Sequence, residues 1–416
     1  MASGAKDNPY AVTQMLGRVL AQVENEYVDP VERTKLTQGA IKGMVAELDP
    51  HSSYMPREDY TSFQQDTEGE FGGVGIEVDV RTENITVLGA IDGSPAKRAG
   101  IKPGDQVIAV DGEYVQNATF DNMLKKMRGA PGTHVKLTIK RKGDKEPMTF
   151  DLVRQIIRVP SVQSKMLAGG IAYVRLKQFQ DHTHDELVRA AATLRGSGAE
   201  PAGIVLDLRS NPGGLVDEAT SVADEFLAGG QIYTMRHRGE IVDEARAHSG
   251  GAFANAKIVI LMDEWSASAA ELLAGALQDQ GRAVVVGQNS FGKGSVQSII
   301  DLPDGAGLRL TTARYYTPAG HAIQANGIQP NVLVKASKKD PSSEYPELRE
   351  RDLEGHLAAE ERIAAPANQK VVEAPEKAVL DPTELSDVAE TPTPDKDFML
   401  SLGYQTLKEI LAAPAK

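Results

Sequence analysis

Ser268 and Lys293 stand 25 positions apart in the stretch KIVILMDEWSASAAELLAGALQDQGRAVVVGQNSFGKGSVQ at 257–297. A run of β-formers at 258–262 ends at Asp263-Glu264-Trp265. Small residues Ser266-Ala267-Ser268-Ala269-Ala270 follow, and then apolar Leu272, Leu273 and Leu277 share a helical pattern with polar Glu271, Gln278 and Asp279. A strand that delivers a serine to the mouth of a helix suits a nucleophile. The helix N-terminus offers unpaired amides and partial positive charge to a developing oxyanion. The serine needs a partner to take its proton. After a second strand at 282–286, Lys293 sits between Gly292 and Gly294 amid apolar residues, a setting in which burial leaves an amine neutral enough to act as base. Gln297 lies four residues on, sharing a strand face with Lys293, in reach to orient that amine.

The elements that must position these groups alternate in type from about residue 156. GGIAYVRLKQF reads as a strand, THDELVRAAATLRGSG as a helix capped by Thr183, AGIVLDLRS as a buried strand and NPGGLVDEATSVADEFL as a turn into a helix. Such βα alternation predicts a mainly parallel α/β core. Asn211-Pro212-Gly213-Gly214 puts glycines just before a helix, where backbone amides can approach a ligand; a plain structural turn is the alternative. LRLTTARYYTPAGHAIQANGIQPNVLV closes the core with two β-runs, and His321 within it reads as structural. Upstream, 9–26 and 31–48 have helical periodicity, with Asp49-Pro50 as a stop signal and His51 as a turn residue. Residues 68–155 carry short strands punctuated by Gly and Pro, a small β-rich module. His182 and His184 lack any further ligand pattern, so neither a metal nor a cofactor is expected.

Five strings, LDPHSSY at 48–54, DLRSNPGG at 207–214, SASAAE, GKGSVQ and RYYTPAGHAIQANGIQP at 314–330, fall in one order across roughly 9–335. Together they resemble the carboxyl-terminal processing, or tail-specific, proteases, serine peptidases with a Ser-Lys dyad. The resemblance implies an α/β, crotonase-like (ClpP/crotonase) protease core with an inserted β-rich PDZ domain and helical N- and C-terminal extensions. It implies Ser268 as nucleophile, Lys293 as base and Gln297 as third member. The oxyanion donors would be Gly214 and Ala269, with Gly213 the nearest competitor. The family often has Asn and Gly where this chain has Asp263 and Trp265, so the approach to the nucleophile is expected to differ in shape. GGVGIEV and SPAKRAGIKPGDQVIAVDG resemble a PDZ domain. Amides of Gly73, Val74, Gly75 and Ile76 would capture a terminal carboxylate while a peptide adds beside 76–78. Leu124 and Met127, on a helix at 119–128, would face the ligand. Arg128 matches the arginine that couples this domain to the protease site in some relatives, although a helix-terminal arginine also has a plain dipole role.

The resulting division is a helical arm at 1–66, the PDZ domain at 67–156, the Ser-Lys core at 157–336, a charged and Pro/Ala-rich linker at 337–395, partly disordered, and a terminal helix at 396–416. The apolar faces of the N-terminal helices fit either packing on the core or a dimer contact, and the terminal helix either docks on its own core or, as favoured here, contacts another subunit; the family resemblance implies a homo-oligomer of two or more subunits through these helices. A net charge of −13 argues against a nucleic-acid partner. The chain has no cysteine, which excludes a thiol nucleophile and a disulfide frame. No apolar run has the length of a membrane span. The opening Met-Ala-Ser-Gly reads as an added start, and the family resemblance implies an exported, periplasmic protein relieved of its targeting segment, with protein tails as substrates and an adaptor lipoprotein as a further partner. GQNSFGKG at 287–294 nearly spells a phosphate loop, but position 294 is Gly in place of the magnesium-binding hydroxyl and SVQSIIDL reads as a strand instead of a helix. A PDZ scaffold and a crotonase-like acyl-CoA enzyme are the other rivals; neither needs Ser268 and Lys293 together.

Overall fold

Continuous apolar runs such as Gly203–Asp207 and Lys257–Met262 demand cover on both faces, which a parallel sheet between two layers provides. The computed structural model describes residues 10–79, 85–117, 119–196, 200–335, 348–376, 378–382 and 384–414. Among these, the central sheet has seven strands, in the order Val162–Leu167, Ile171–Leu176, Gly203–Asp207, Lys257–Met262, Ala283–Gly287, Val332–Lys335 and Lys370–Glu373. The first pair is antiparallel and every later pair parallel.

Helices are numbered in chain order: α1 Ala11–Glu26, α2 Arg33–Ala46, α3 Arg57–Glu68, α4 Pro95–Arg98, α5 Phe120–Met127, α6 Thr183–Arg195, α7 Val216–Phe226, α8 Ala269–Asp279 and α9 Phe398–Ala412. One face of the sheet packs on α6, α7 and α8 through Leu187, Val222, Phe226, Leu273 and Leu277. The other is covered by α9 through Leu400, Tyr404 and Leu407. An antiparallel sheet beside this core joins Ser53–Met55, Gly307–Tyr316, Gly230–His237 and Glu240–Ala247, with Ser295–Asp301 also paired to Gly307–Tyr316.

The inserted module is a six-stranded antiparallel sheet with α4 and α5 around its own core of Val87, Val107, Met123, Leu137 and Ile139. Its chain enters and leaves through a two-stranded ribbon, Glu70–Gly73 against Gln155–Arg158.

Three expectations are corrected. The segment expected to be partly disordered supplies, within its described residues, the seventh strand of the central sheet and a fully buried Glu350. The expectation also covered 337–347, which lie outside the described residues. Helix α9 docks on its own core, so its apolar face is satisfied within the chain. Helix α6 begins at Thr183 with His182 as N-cap in the left-handed region (φ +71°); the Thr183 hydroxyl instead bonds Gln180 and Ser161.

The docking of α9 is locked by charge as well as by apolar contact. Arg209 is fully buried, its guanidinium bonded to Asp207 (2.6 Å) and to both carboxylate oxygens of Asp397 (2.8 and 2.9 Å). Asp397 also caps α9 by accepting from the Leu400 N–H.

Candidate active site

The strand Lys257–Met262 ends at Asp263, whose buried carboxylate accepts from the Ser210 and Trp265 N–H groups and lies 3.0 Å from the Ser266 hydroxyl. Here the departure from the family pattern ties the turn at 210 to the approach to the serine, while Trp265 stays exposed. Ser268 then occupies the N-cap of α8 with φ +56° and ψ −118°. Such backbone costs on the order of 1–3 kcal/mol for a side-chain-bearing residue and persists only where its surroundings enforce it.

The enforcing group is Glu271, fully buried in the first turn of α8. Its carboxylate accepts from the Ser268 N–H (2.7 Å), the Gly292 N–H (2.7 Å), the Lys293 N–H (2.9 Å) and the Ser290 hydroxyl (2.5 Å). One carboxylate thus holds the serine turn and the lysine loop together. Burial pushes its pKa up to about 7, with those four donors pulling the other way. The helical pattern alone marks Glu271 only as a polar helix position. Its signal was present in SASAAE, where a Glu three residues after Ser is the signature of a capping box.

Lys293 precedes the strand Ser295–Asp301, so the shared-strand-face reasoning for Gln297 does not apply; both nevertheless line one cleft of about 380 Å³ with Ser268, Gly213 and Gly214. Burial lowers the Lys293 pKa and the Arg309 guanidinium adds to this, against the carboxylates of Glu350, Glu271 and Asp49. Among the described residues no hydrogen bond joins the Ser268 hydroxyl to the Lys293 amine. The nitrogen of the Gln297 amide bonds Ser295 Oγ (2.9 Å) and Thr311 Oγ1 (3.2 Å). Apolar Phe63, Leu215, Val216, Val296 and Ile299 also line the walls, together with Asp66 and Arg309.

The glycine turn lies against the serine. A Cβ on Gly213 would come within 2.7 Å of Ser268 Cβ, and one on Gly214 within 1.9 Å of the Phe179 carbonyl. The Gly213 N–H is committed to Asn211 Oδ1 (2.9 Å), whereas the N–H groups of Gly214 and Ala269 have no acceptor among the described residues. Two unpaired amides beside a serine can hold an oxyanion.

In the inserted module Gly75 is in the left-handed region, and a Cβ there would meet Ser94 at 2.3 Å. Gly73 ends the ribbon strand, Val74 is buried, and Ile76 opens an edge strand paired only with Ile85–Ala90 among the described residues. Leu124 stays half-buried. Met127 is buried in the module core with Met123, in the cluster against which Leu124, Ile76 and Val78 pack. Arg128 pairs with Asp66 (3.2 Å) and stacks on the Phe71 ring (4.6 Å), not on Gln297. His51 pairs with Glu350, His184 with Glu225, and His321 lies outside the cleft near Asp279; no metal-ligating cluster occurs among the described residues.

The sequence pattern of peptidase family S41 matches residues 170–334, that of PDZ domains 86–141, and that of the activating protease CtpB N-terminal domain 5–59. With the site above, they define a serine-type peptidase carrying a PDZ domain. The carboxy-terminal-processing protease of Bartonella bacilliformis is 41% identical over 85% of this chain and 82% of its own, and the carboxyl-terminal-processing protease of Synechocystis is 37% identical over 74% and 73%. The chain belongs to peptidase family S41, among the carboxyl-terminal-processing proteases. Among solved structures, the photosystem II D1 C-terminal processing protease aligns over 78% of this chain and 93% of its own at 29% identity, with a TM-score of 0.48.

Proposed function

We propose that this peptidase cuts proteins captured by their C-terminal tails, with Ser268 as nucleophile, Lys293 as general base and Gln297 orienting the lysine amine. The observation that carries the reading is the shared cleft: a serine on enforced backbone, two unpaired amides, and a lysine amine whose charge burial disfavours. In the productive state neutral Lys293 takes the Ser268 proton and the alkoxide attacks the peptide carbonyl carbon. The Gly214 and Ala269 N–H groups hold the oxyanion. Collapse breaks the C–N bond, and the Lys293 ammonium protonates the departing amine. Water, giving its proton to Lys293, then cleaves the acyl-enzyme and restores the serine.

The core is read as crotonase-like, and the PDZ domain as a gate. The Gly73–Ile76 segment takes the tail carboxylate, a peptide adds beside the edge strand, and Arg128 leaves Asp66 and Phe71 to act on Gln297. Helix α1, whose Val12, Met15, Leu16 and Val19 are exposed, is the surface for self-association. An exported, periplasmic setting and an adaptor lipoprotein complete the proposal.

Ser268→Ala and Lys293→Ala should each reduce cleavage of an unstructured reporter protein to background with unchanged melting temperature. The double variant should be no worse than either alone, as residues of one catalytic unit behave. Retained cleavage in either single variant refutes the assignment. Because the base acts only when neutral, kcat should climb as pH rises through the lowered Lys293 pKa. Arg309→Gln, which removes a cation that lowers that pKa, should move the climb to higher pH.

A further inference from the structure

Gln297 has two chemically opposite ends, and which of them meets Lys293 decides whether the lysine can act. If the amide oxygen faces a neutral amine, the amine donates an N–H to it and keeps its lone pair for the Ser268 proton. If the amide NH₂ faces it, that lone pair is consumed by accepting a hydrogen bond. The two orientations have nearly the same shape, so something outside Gln297 must choose between them.

We infer that Asp49 is a positioning residue which, through the Thr311 hydroxyl, sets which end of the Gln297 amide faces Lys293. This rests on the role proposed above for Gln297. Asp49 ends the N-terminal arm in the turn Asp49-Pro50-His51-Ser52 and is buried. Its partners are all donors: the His51 N–H (2.9 Å), the Ser52 N–H (2.9 Å) and the Thr311 hydroxyl (3.1 Å) on Oδ1, and the Ser52 hydroxyl (2.7 Å) on Oδ2. Burial works against the charge, yet the donors from Ser52, His51 and Thr311 hold the pKa below the usual carboxylate value. An ionised carboxylate has no proton to give, so the Thr311 proton points at Asp49 and only lone pairs remain toward Gln297. Gln297 must therefore present its NH₂ to Thr311 Oγ1 (3.2 Å), with Ser295 Oγ (2.9 Å) as second acceptor. Its oxygen is left for Lys293.

The backbone supports the same relay. A bulge between Val296 and Gln297 sets Gln297 directly opposite Thr311, and the Thr311 N–H donates to Ser52 Oγ (3.0 Å). Residues from two distant strings, LDPHSSY and GKGSVQ, are thereby joined by three hydrogen-bonded side chains.

The test uses the full chain, an unstructured reporter substrate and five variants, each with its melting temperature. Thr311→Val and Asp49→Asn should each lower kcat about 10- to 100-fold, the scale of residues that orient a catalytic group through hydrogen bonds. KM should stay within about twofold, and the rise of kcat with pH should be displaced. Thr311→Ser, which keeps the hydroxyl, should restore both rate and pH profile, and the Asp49→Asn/Thr311→Val pair should be no slower than either single change. A Thr311→Val enzyme with wild-type kcat and pH profile overturns the inference whatever its melting temperature. If Asp49→Asn does not fold, the Thr311→Val and Thr311→Ser pair decides alone. Gln297→Ala separates the two levels: full activity there removes the proposed role of Gln297 itself, whereas an inactive Gln297→Ala beside an active Thr311→Val removes only the relay.

Discussion

Helix α1 buries none of its residues, while α9 buries Met399, Leu400, Ser401, Gly403, Tyr404 and Leu407. Both carry apolar side chains at helical spacing. In α1 the stripe Val12, Met15, Leu16, Val19 is exposed along its length. In α9 the corresponding face packs on Val205, Val259 and Leu261 of the central sheet. Periodicity therefore records that a helix needs cover, not where the cover comes from. What separates the two is detail of another kind. Helix α9 begins at an aspartate with a buried arginine to meet, and carries Gly403 where a Cβ would come within 2.5 Å of Leu261. Helix α1 has no capping side-chain bond and no such close approach, its Gly17 facing open space.

The contrast can be broken at its strong end first. Asp397→Ala removes one of two carboxylates from a guanidinium with no access to water and should destabilise the chain by about 3–5 kcal/mol, measured as a lowered urea midpoint. A loss below about 1 kcal/mol would mean that α9 is held by apolar contact alone. Gly403→Ala overpacks the same interface and should cost about 1–3 kcal/mol. At the weak end, Met15→Glu with Val19→Glu should move the unfolding midpoint by no more than about 0.5 kcal/mol, as exposed positions do. Sedimentation velocity should still shift to smaller species if α1 joins subunits. An α1 variant as destabilised as Gly403→Ala would show that the two helices are covered alike.

Much of the site was legible because its chemistry is local. A strand, a serine and a helix start are contiguous at 257–279, and a glycine turn announces itself by composition. What could not be read was the set of contacts closing long spans. Glu271 reaches Gly292 and Lys293, and Asp49 reaches Thr311 across 262 positions. No spacing rule links such residues, since only the packing of separate elements in the folded chain brings them together. The segment after 348 was misread from composition, because a Pro- and Ala-rich stretch can still add a short edge strand when its neighbour's ladder is open.

Arg209 has a consequence for when the enzyme can exist at all. Its pairing with Asp397 closes a span of 188 residues, so during synthesis the guanidinium emerges beside Asp207 but long before its second carboxylate. Until Asp397 clears the ribosome, the guanidinium has Asp207 as its carboxylate partner and lacks Asp397, and the final layer over the sheet that carries Ser268 is missing.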